Sequence, residues 1–536
     1  MAAEELLDEL RDPGCYGAAV QAVQIVQTHL SVVCLTDELV FKLKKACTLP
    51  FVDFAPLANR RAACRDEVRL NRRLCPDVYL GTAALRRLDG SLRFAPIGDD
   101  EHQDDLDVAV VMRRLPQERM LDVLLADSVV DAAQIGELAE DVARFHENAE
   151  RGPEIDALGD PARLATFARN NFAELVMVRG AVSPPALLAA TRHASETAFA
   201  RILPTLRARL AAGRVVDGHG DLHARNICMT APPTIYDCIE FEPAFRCCDV
   251  ATEVAFLVMD LRYRGADELA RAFVQSYVAA SGDEQLPDLL PVLTSYRAMV
   301  RAKVSALQVH DHDIEREERR HARLSTRAHL QLAAGCLLEA GPARWIVLCG
   351  PPASGKSVVA RHLARVCRWP HIATDIERKR LAGIPSHHHA AEEHYTPWFS
   401  QRTYEAVFEA ARQAQRAGHP IVLLDGNFAT RARRAEVAAA ALASGASTTF
   451  VHVQVDVATA TLRAARRCKQ AQDPSDAGVD VTLQRHREFE MPFDDEGDVL
   501  RFDGTRLPDE IAGEALTALL DATYADSGVE VRSALS

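Results

Sequence analysis

No stretch of this 536-residue chain is apolar enough to span a bilayer. Its N-terminus, Met1-Ala2-Ala3-Glu4-Glu5, lacks the basic and apolar segments of a signal peptide. A membrane partner is therefore not expected, and a cytoplasmic location is the default. Positive charge is in short supply, with a formal net charge of −14. That balance disfavours binding of long nucleic acid by phosphate neutralisation, while leaving room for a local basic pocket. Thirteen cysteines are present but no C-x-x-C pair, which argues against a zinc or disulfide framework. Most, such as Cys34 and Cys349, lie in apolar runs and read as reduced, buried thiols. No internal repeat is visible.

What is present is globular composition, 48% hydrophobic and 26% charged. The length suggests two to four domains. Residues 1 to about 30 carry a helical pattern. Ser31–Thr36 and Leu39–Lys44, separated by Asp37-Glu38, read as a hairpin. Leu57–Leu74 reads as a helix and Val108–Met112 as a strand. Helices are expected from about 118 to 212 and again from Asp249 to about Ala340. Gly341-Pro342 then precedes the apolar run Trp345–Cys349, which places a domain boundary near 341. Beyond it, apolar strands (345–349, 421–424, 449–453) alternate with helical segments (357–367, 403–417, 430–443). That alternation predicts a parallel sheet with crossover helices.

The first half carries His219-Gly220-Asp221-Leu222-His223-Ala224-Arg225-Asn226, then Ile235-Tyr236-Asp237. A hydroxyl kinase needs a carboxylate for the substrate proton, oxygen ligands for Mg²⁺, and a lysine on the phosphates positioned by a carboxylate. Asp221 can be the base. Asn226, five residues on, and Asp237, after a short apolar strand, can hold the metal. Lys42 on the second hairpin strand can grip ATP, with Glu67 on the next helix as its partner. Lys44 and Lys45 compete with Lys42, and strand alternation puts Lys42 and Lys44 on one face. His219 and His223 read as packed loop histidines.

On these residues the stretch from about 20 to 335 resembles the aminoglycoside phosphotransferase family, within the wider protein-kinase-like fold. The resemblance implies a bilobal α+β domain, here 1–340. Met112-Arg113-Arg114-Leu115 would form its hinge, and Asp249 would brace the catalytic loop. Acidic residues such as Asp260 and Glu174 could attract an amine on the acceptor. One departure is that Thr28-His29-Leu30-Ser31 stands where a G-x-G-x-x-G loop would cover the phosphates.

The second half carries Gly350-Pro351-Pro352-Ala353-Ser354-Gly355-Lys356-Ser357, a P-loop between an apolar strand and a helix. Backbone amides from Gly350 through Ser354 and Gly355 cradle phosphate oxygens. Lys356 reaches the β- and γ-phosphates, and Ser357 ligates Mg²⁺. Ile372-Ala373-Thr374-Asp375 ends a second short strand, which puts Asp375 at the carboxyl edge of the sheet, where it can activate an acceptor hydroxyl. Arg378, three residues later, can hold a phosphate on that acceptor. Asp425 ends another strand near the metal. Arg463, Arg466 and Arg467 form a basic helix face that could close on ATP. His387-His388-His389 reads as exposed loop, without a spaced fourth metal ligand.

Residues 343 to about 525 resemble the small P-loop kinases grouped with polynucleotide kinase, zeta toxin and chloramphenicol phosphotransferase. Gly426-Asn427-Phe428 matches their D-[AG]-T-F element except for the asparagine, and Ser475-Asp476-Ala477 also recurs in the group. The resemblance implies an α/β P-loop NTPase domain, 341–536, using ATP and Mg²⁺. The expected whole is a bifunctional ATP-dependent phosphotransferase acting on a hydroxyl of a small molecule. The alternatives are a single active P-loop kinase or ATPase whose other module senses nucleotide or is degenerate, and a P-loop half that acts on nucleic acid ends.

Overall fold

The computed structural model describes residues 3–49, 52–177, 184–309, 315–385, 388, 390–470 and 479–525, without the side chains of 3 and 467–470. The chain packs as two compact units, residues 1–164 with 203–287, and residues 165–202 with 288–536. No described helix is long and apolar enough to cross a membrane. The described cysteines are free thiols, all buried except Cys47.

The first unit is built on an antiparallel sheet of β1 (Gln24–Gln27), β2 (Ser31–Leu35), β3 (Leu39–Lys44), β4 (Tyr79–Leu88), β5 (Ser91–Phe94) and β6 (Asp107–Arg113), in the order β1-β2-β3-β6-β4-β5. Alternation along β3 decides what each face carries. Phe41 and Leu43 join an apolar cluster with Leu6, Leu10 and Cys15. Val40, on the other parity, packs with Cys64 and Val68 of helix α1 (Leu57–Asn71). Lys42 and Lys44 share the parity of Val40, and so face α1. The buried residues of α1 at 64, 67, 68 and 71 lie on one helical stripe, which turns Glu67 toward β3.

The helical reading of residues 1–30 does not hold. Short 3₁₀ turns over 3–16 press Leu6, Leu10 and Cys15 onto the sheet, and Gln24–Gln27 forms an edge strand. Pro13, Gly14 and Gly17 interrupt any continuous helix there. The Thr28–Ser31 segment is the turn between β1 and β2, closed by a 2.9 Å bond from Thr28 N–H to the Ser31 carbonyl.

Two short antiparallel pairs carry the 219–237 motif. Val215–Asp217 pairs with Cys247–Asp249, and Ile227–Cys228 with Thr234–Ile235. The loop 218–226 lies between them, and helix α2 (Val250–Tyr263) follows.

The second unit contains a parallel sheet of β7 (Arg344–Cys349), β8 (His371–Ala373), β9 (Ile421–Asp425), β10 (Ser447–Gln454) and β11 (Asp498–Asp503), in the order β8-β9-β7-β10-β11. Registry aligns Leu348 and Ala373 with Asp425. The P-loop, Asp425 and the start of helix α4 (Thr374–Ala382) therefore meet at one carboxyl edge, where ligands of such sheets bind. Helix α3 (Lys356–Cys367) leaves from the P-loop. Helix Arg316–Glu339, on the N-terminal side of the 341 boundary read from the sequence, packs on this unit. Tyr524 OH donates to the Leu337 carbonyl at 2.7 Å, and Gln331 donates to Asp509 at 2.8 Å.

Candidate active sites

The first site assembles around β3. Lys42 Nζ lies 2.9 Å from Glu67 Oε1 and 2.5 Å from Asp237 Oδ1. Lys44 donates to the other Glu67 oxygen and to Glu240. Exposure separates the two lysines: the Lys42 side chain is 15% exposed beside an Asp237 that is 41% exposed, whereas Lys44 is 2% exposed. Lys45 lies just past the strand. Burial alone would discharge Lys42, but the Asp237 and Glu67 charges outweigh it and keep the ammonium protonated. Burial likewise opposes the Glu67 carboxylate, and the two ammonium groups hold it well below its ordinary value.

Asp237 adopts a left-handed backbone, φ 65°. Such geometry costs a non-glycine residue on the order of 1–3 kcal/mol and collects at functional sites. Its N–H donates to Tyr79 OH at 3.2 Å, and the next amide, Cys238, donates to Asn71 Oδ1 at 2.9 Å. Asn226 and Asp237 flank the hairpin of Ile227–Cys228 and Thr234–Ile235, one just before its first strand and the other just past its second, where Tyr236 N–H donates to the Asn226 carbonyl at 3.0 Å.

Asn226 Nδ2 also donates to Asp221, at 3.1 Å to Oδ2 and 3.0 Å to the carbonyl. His223 Nδ1 accepts from Arg225 N–H, so Nε2 carries the proton and lies 3.3 Å from Asp221 Oδ2. His219 is buried, with Nε2 3.0 Å from the Tyr236 carbonyl, and burial pushes its pKa down. Gly220, at φ 85°, has no room for a side chain, because a Cβ would stand 3.0 Å from that of Arg246.

The loop is braced by a residue the sequence reading missed. Glu253 accepts from His219 N–H at 2.5 Å and from Gly220 N–H. It also bonds His146 Nε2 at 2.8 Å, and His146 Nδ1 bonds Tyr277 OH at 2.8 Å. Burial pushes the Glu253 carboxyl up, but the His146 bond and the loop amides outweigh it and leave it at about 2. Asp249, expected in this bracing role, instead caps α2 through Ala251 N–H and binds Arg209 at 2.8 Å. Asp260 is no open amine site, since it accepts from Ala224 N–H at 2.9 Å and from Arg264 at 3.1 Å. Glu174 pairs with Lys303 at 3.4 Å.

In the second site the P-loop wraps the end of β7. Gly350, at φ 147°, must be glycine, since a Cβ would stand 2.3 Å from the Val453 carbonyl. Gly355 caps α3 in a left-handed conformation, and Lys356 and Ser357 open the helix. Ser357 Oγ donates to Asp425 Oδ1 at 3.1 Å, and His371 Nε2 lies 3.4 Å from Asp425 Oδ2. Burial pushes the Asp425 carboxyl up, and His371, Lys356 and Ser357 together outweigh it, so it lies below its ordinary value.

A cavity of about 1120 Å³ opens from this edge, lined by Lys356, Ser357, Asp375, Arg378 and Asp425. Its volume exceeds the roughly 300–1,000 Å³ typical of a single small-molecule site. The strand ends at Ala373, short of the Asp375 expected from the sequence, so Asp375 stands in the first turn of α4, one turn before Arg378. Arg378 donates to the His394 carbonyl at 2.7 Å, and its guanidinium lies 4.6 Å from the Tyr395 ring centre. Arg433, which the sequence reading did not single out, lines the same cavity 4.1 Å from the Tyr404 ring centre.

Arg463, expected on ATP, lines the cavity and also holds the P-loop backbone. It reaches the Ala353 and Ser354 carbonyls at 3.4 and 3.3 Å, and the Gly504 carbonyl at 2.9 Å. These carbonyls lie outside the sheet ladder and need a donor. Arg466 lines the cavity. The side chain of Arg467 lies outside the described residues, as do His387, His389 and Ser475-Asp476-Ala477.

Comparison with known proteins matches residues 33–290 to the phosphotransferase enzyme family and residues 346–492 to an AAA domain family. The uncharacterized protein Rv2004c of Mycobacterium tuberculosis is 30% identical over 469 residues, which cover 86% of this chain and 88% of that protein. The uncharacterized protein Mb2027c of Mycobacterium bovis matches to the same extent, 30% over 469 residues. Among solved structures, a choline/ethanolamine kinase family protein from Mesorhizobium loti aligns over 68% of this chain and 99% of its own, at 12% identity and a TM-score of 0.37. A gluconokinase from Sinorhizobium meliloti 1021 aligns over 34% of this chain and 94% of its own, at 21% identity and a TM-score of 0.25. The chain belongs to the family of these mycobacterial proteins and is an enzyme of the phosphotransferase type, with a kinase-like domain followed by a P-loop domain.

Proposed function

We propose that the chain is a bifunctional ATP-dependent phosphotransferase of the cytoplasm that acts on a hydroxyl of a small molecule. One site lies in a kinase-like domain within 1–340, the other in a P-loop domain within 341–536. The observation that carries this reading is duplication: each candidate site brings together a lysine that would bind phosphate, a carboxylate that would hold a metal and an aspartate that would face an acceptor. Lys42, Asp237 and Asp221 fill these places in the first, and Lys356, Asp425 and Asp375 in the second.

The residues fit Mg²⁺ and ATP. Ser354 Oγ is buried without a protein partner, in a loop where a Cβ on Gly350 would intrude. Asp237 is half-exposed beside Lys42. Bound Mg²⁺ would neutralise triphosphate charge. In the first site Asn226 and Asp237 would hold it, Lys42 would bind the phosphates with Glu67 directing it, and Asp221 would take the acceptor proton. In the second, Ser357 and Asp425 would hold the metal, while the Gly355 amide and the Lys356 ammonium would cradle phosphate; the Gly350 and Ser354 N–H groups donate instead to the Asn427 and Pro351 carbonyls, at 3.2 and 3.3 Å. Asp375 would take the acceptor proton, with Arg378 on an acceptor phosphate. Arg463 and Arg467 would complete the closure over ATP.

A second reading makes one module a nucleotide sensor or a degenerate partner. It is favoured by the direct Lys42–Asp237 pair, which engages the phosphate lysine and the metal aspartate with each other. A screen of small hydroxyl compounds with ATP, read by mass, tests both readings. Products lost selectively with Asp221→Asn and with Asp375→Asn support two transferases. Loss with Asp375→Asn alone supports the second reading, and phosphorylation untouched by either substitution contradicts both.

A further inference from the structure

Five charged side chains of the first unit form one string: Asp237, Lys42, Glu67, Lys44 and Glu240. Both ends belong to the segment 237–240, and both lysines belong to β3. The outer pair is open, at 15% and 41% side-chain exposure, whereas the inner pair, Lys44 and Glu240, is sealed at 2% and 5%. The Phe54 ring, 5.8 Å from Lys44 Nζ, helps enclose it. A ligand arriving beside Asp237 therefore reaches Lys42 and not Lys44. Charge chemistry alone does not require the inner pair for phosphate binding. Burying it is costly unless both members are paired, and removing one leaves the other uncompensated.

We propose that Lys44 and Glu240 are positioning residues of the first nucleotide site. They form a second tie between β3 and the metal-side segment, which fixes the direction of Glu67 and the spacing of Lys42 from Asp237. This rests on the reading of that site as a nucleotide site. When Lys42 turns from Asp237 to a triphosphate, Lys44 keeps its hold on the other Glu67 oxygen, so the glutamate stays in place. The Glu240 bond keeps segment 237–240 against β3 at the same moment. Three carboxylates face two lysines, and the surplus negative charge sits on the string whose open end is Asp237, which suits the arrival of a cation there.

The test uses the full chain carrying Lys356→Ala, so that the first site alone reports. Binding of a non-hydrolysable ATP analogue with Mg²⁺ is measured by calorimetry, well below each variant's melting temperature. Lys44→Arg, which keeps the charge, is expected to retain affinity within about threefold. Lys44→Met is expected to lose ~10-fold or more, the scale of one charge-assisted hydrogen bond. Lys44→Met/Glu240→Gln, which removes the tie without leaving an orphaned Glu240 carboxylate, is expected to stay about as weak as Lys44→Met. A purely structural role predicts lower melting temperatures without this pattern in affinity. Should Lys44→Met fail to fold, Glu240→Gln alone carries the test and is expected to weaken binding by about threefold or more. Equal affinity in Lys44→Met and the parent, or parental affinity regained in the double variant, would overturn the role of the pair. No binding by the parent would instead overturn the nucleotide-site reading on which it rests.

Discussion

Lys42 and Asp237 stand 195 residues apart in sequence and meet at 2.5 Å. Folding has brought the strand lysine and the hairpin aspartate to one half-open edge, each satisfying the other's charge. Asp237→Ala is expected to abolish Mg²⁺-dependent nucleotide binding at this site, while Lys42 keeps Glu67. Equilibrium binding with and without Mg²⁺ checks this, and a metal response unchanged by the substitution would remove Asp237 from the metal site.

Asp221→Asn should stop transfer by the first site and leave its nucleotide affinity nearly intact. A positioned general base is worth ~10²–10⁴ in rate. Asn226 Nδ2 already donates to the Asp221 carbonyl at 3.0 Å, so the loop has an anchor that does not depend on the carboxylate. Single-turnover transfer to an accepted substrate gives the rate, and full turnover in the variant would contradict the assignment.

Glu253 makes stability depend on acid pH. Its carboxyl is held at about 2, against an ordinary 4.5. A carboxyl depressed in the folded state stabilises it above the unfolded value, and that stability is lost as pH falls through the folded value. The contribution, roughly 3 kcal/mol at most, is therefore present at neutral pH and fades below about 4.5. Urea melts of wild type and Glu253→Gln between neutral pH and 3 should show the variant less stable at neutral pH and less sensitive to acid. Parallel curves would mean that Glu253 is not the loop's ionised brace.

Lys356→Ala should cripple the second site, where the ammonium lines the cavity and would meet phosphate out of bulk water, with strong Coulomb attraction. Asp375→Asn should spare nucleotide binding and stop transfer. Acceptor phosphorylation that depends on Lys356 yet survives Asp375→Asn would rule out Asp375 as the base.

Much of both sites was legible because phosphate chemistry demands fixed spacings. Asp221 and Asn226 lie five apart on one short loop, and Gly350 to Ser357 is a continuous cradle. The strand-helix alternation after Trp345 followed from periodicity, and the Lys42–Glu67 pair from the need of a phosphate lysine for a carboxylate partner on the next helix. What was not legible depends on tertiary contact. Glu253 looks like any residue of a buried helix until its carboxylate meets the amides of His219 and Gly220. Glu240, His371 and Arg433 likewise take their meaning from Lys44, Asp425 and Tyr404. Residues 1–30 misled because their apolar residues serve a sheet face in short turns, not a helix stripe.

The central claim is two separable Mg-ATP sites per chain. Calorimetric titration of the full chain with a non-hydrolysable ATP analogue and Mg²⁺ tests it most directly. The expected result is two sites per chain, one weakened or removed by Lys356→Ala and the other by Asp237→Ala. A single site, lost with Lys356→Ala and untouched by Asp237→Ala, would contradict it and leave one P-loop enzyme beside a nucleotide-free kinase-like domain.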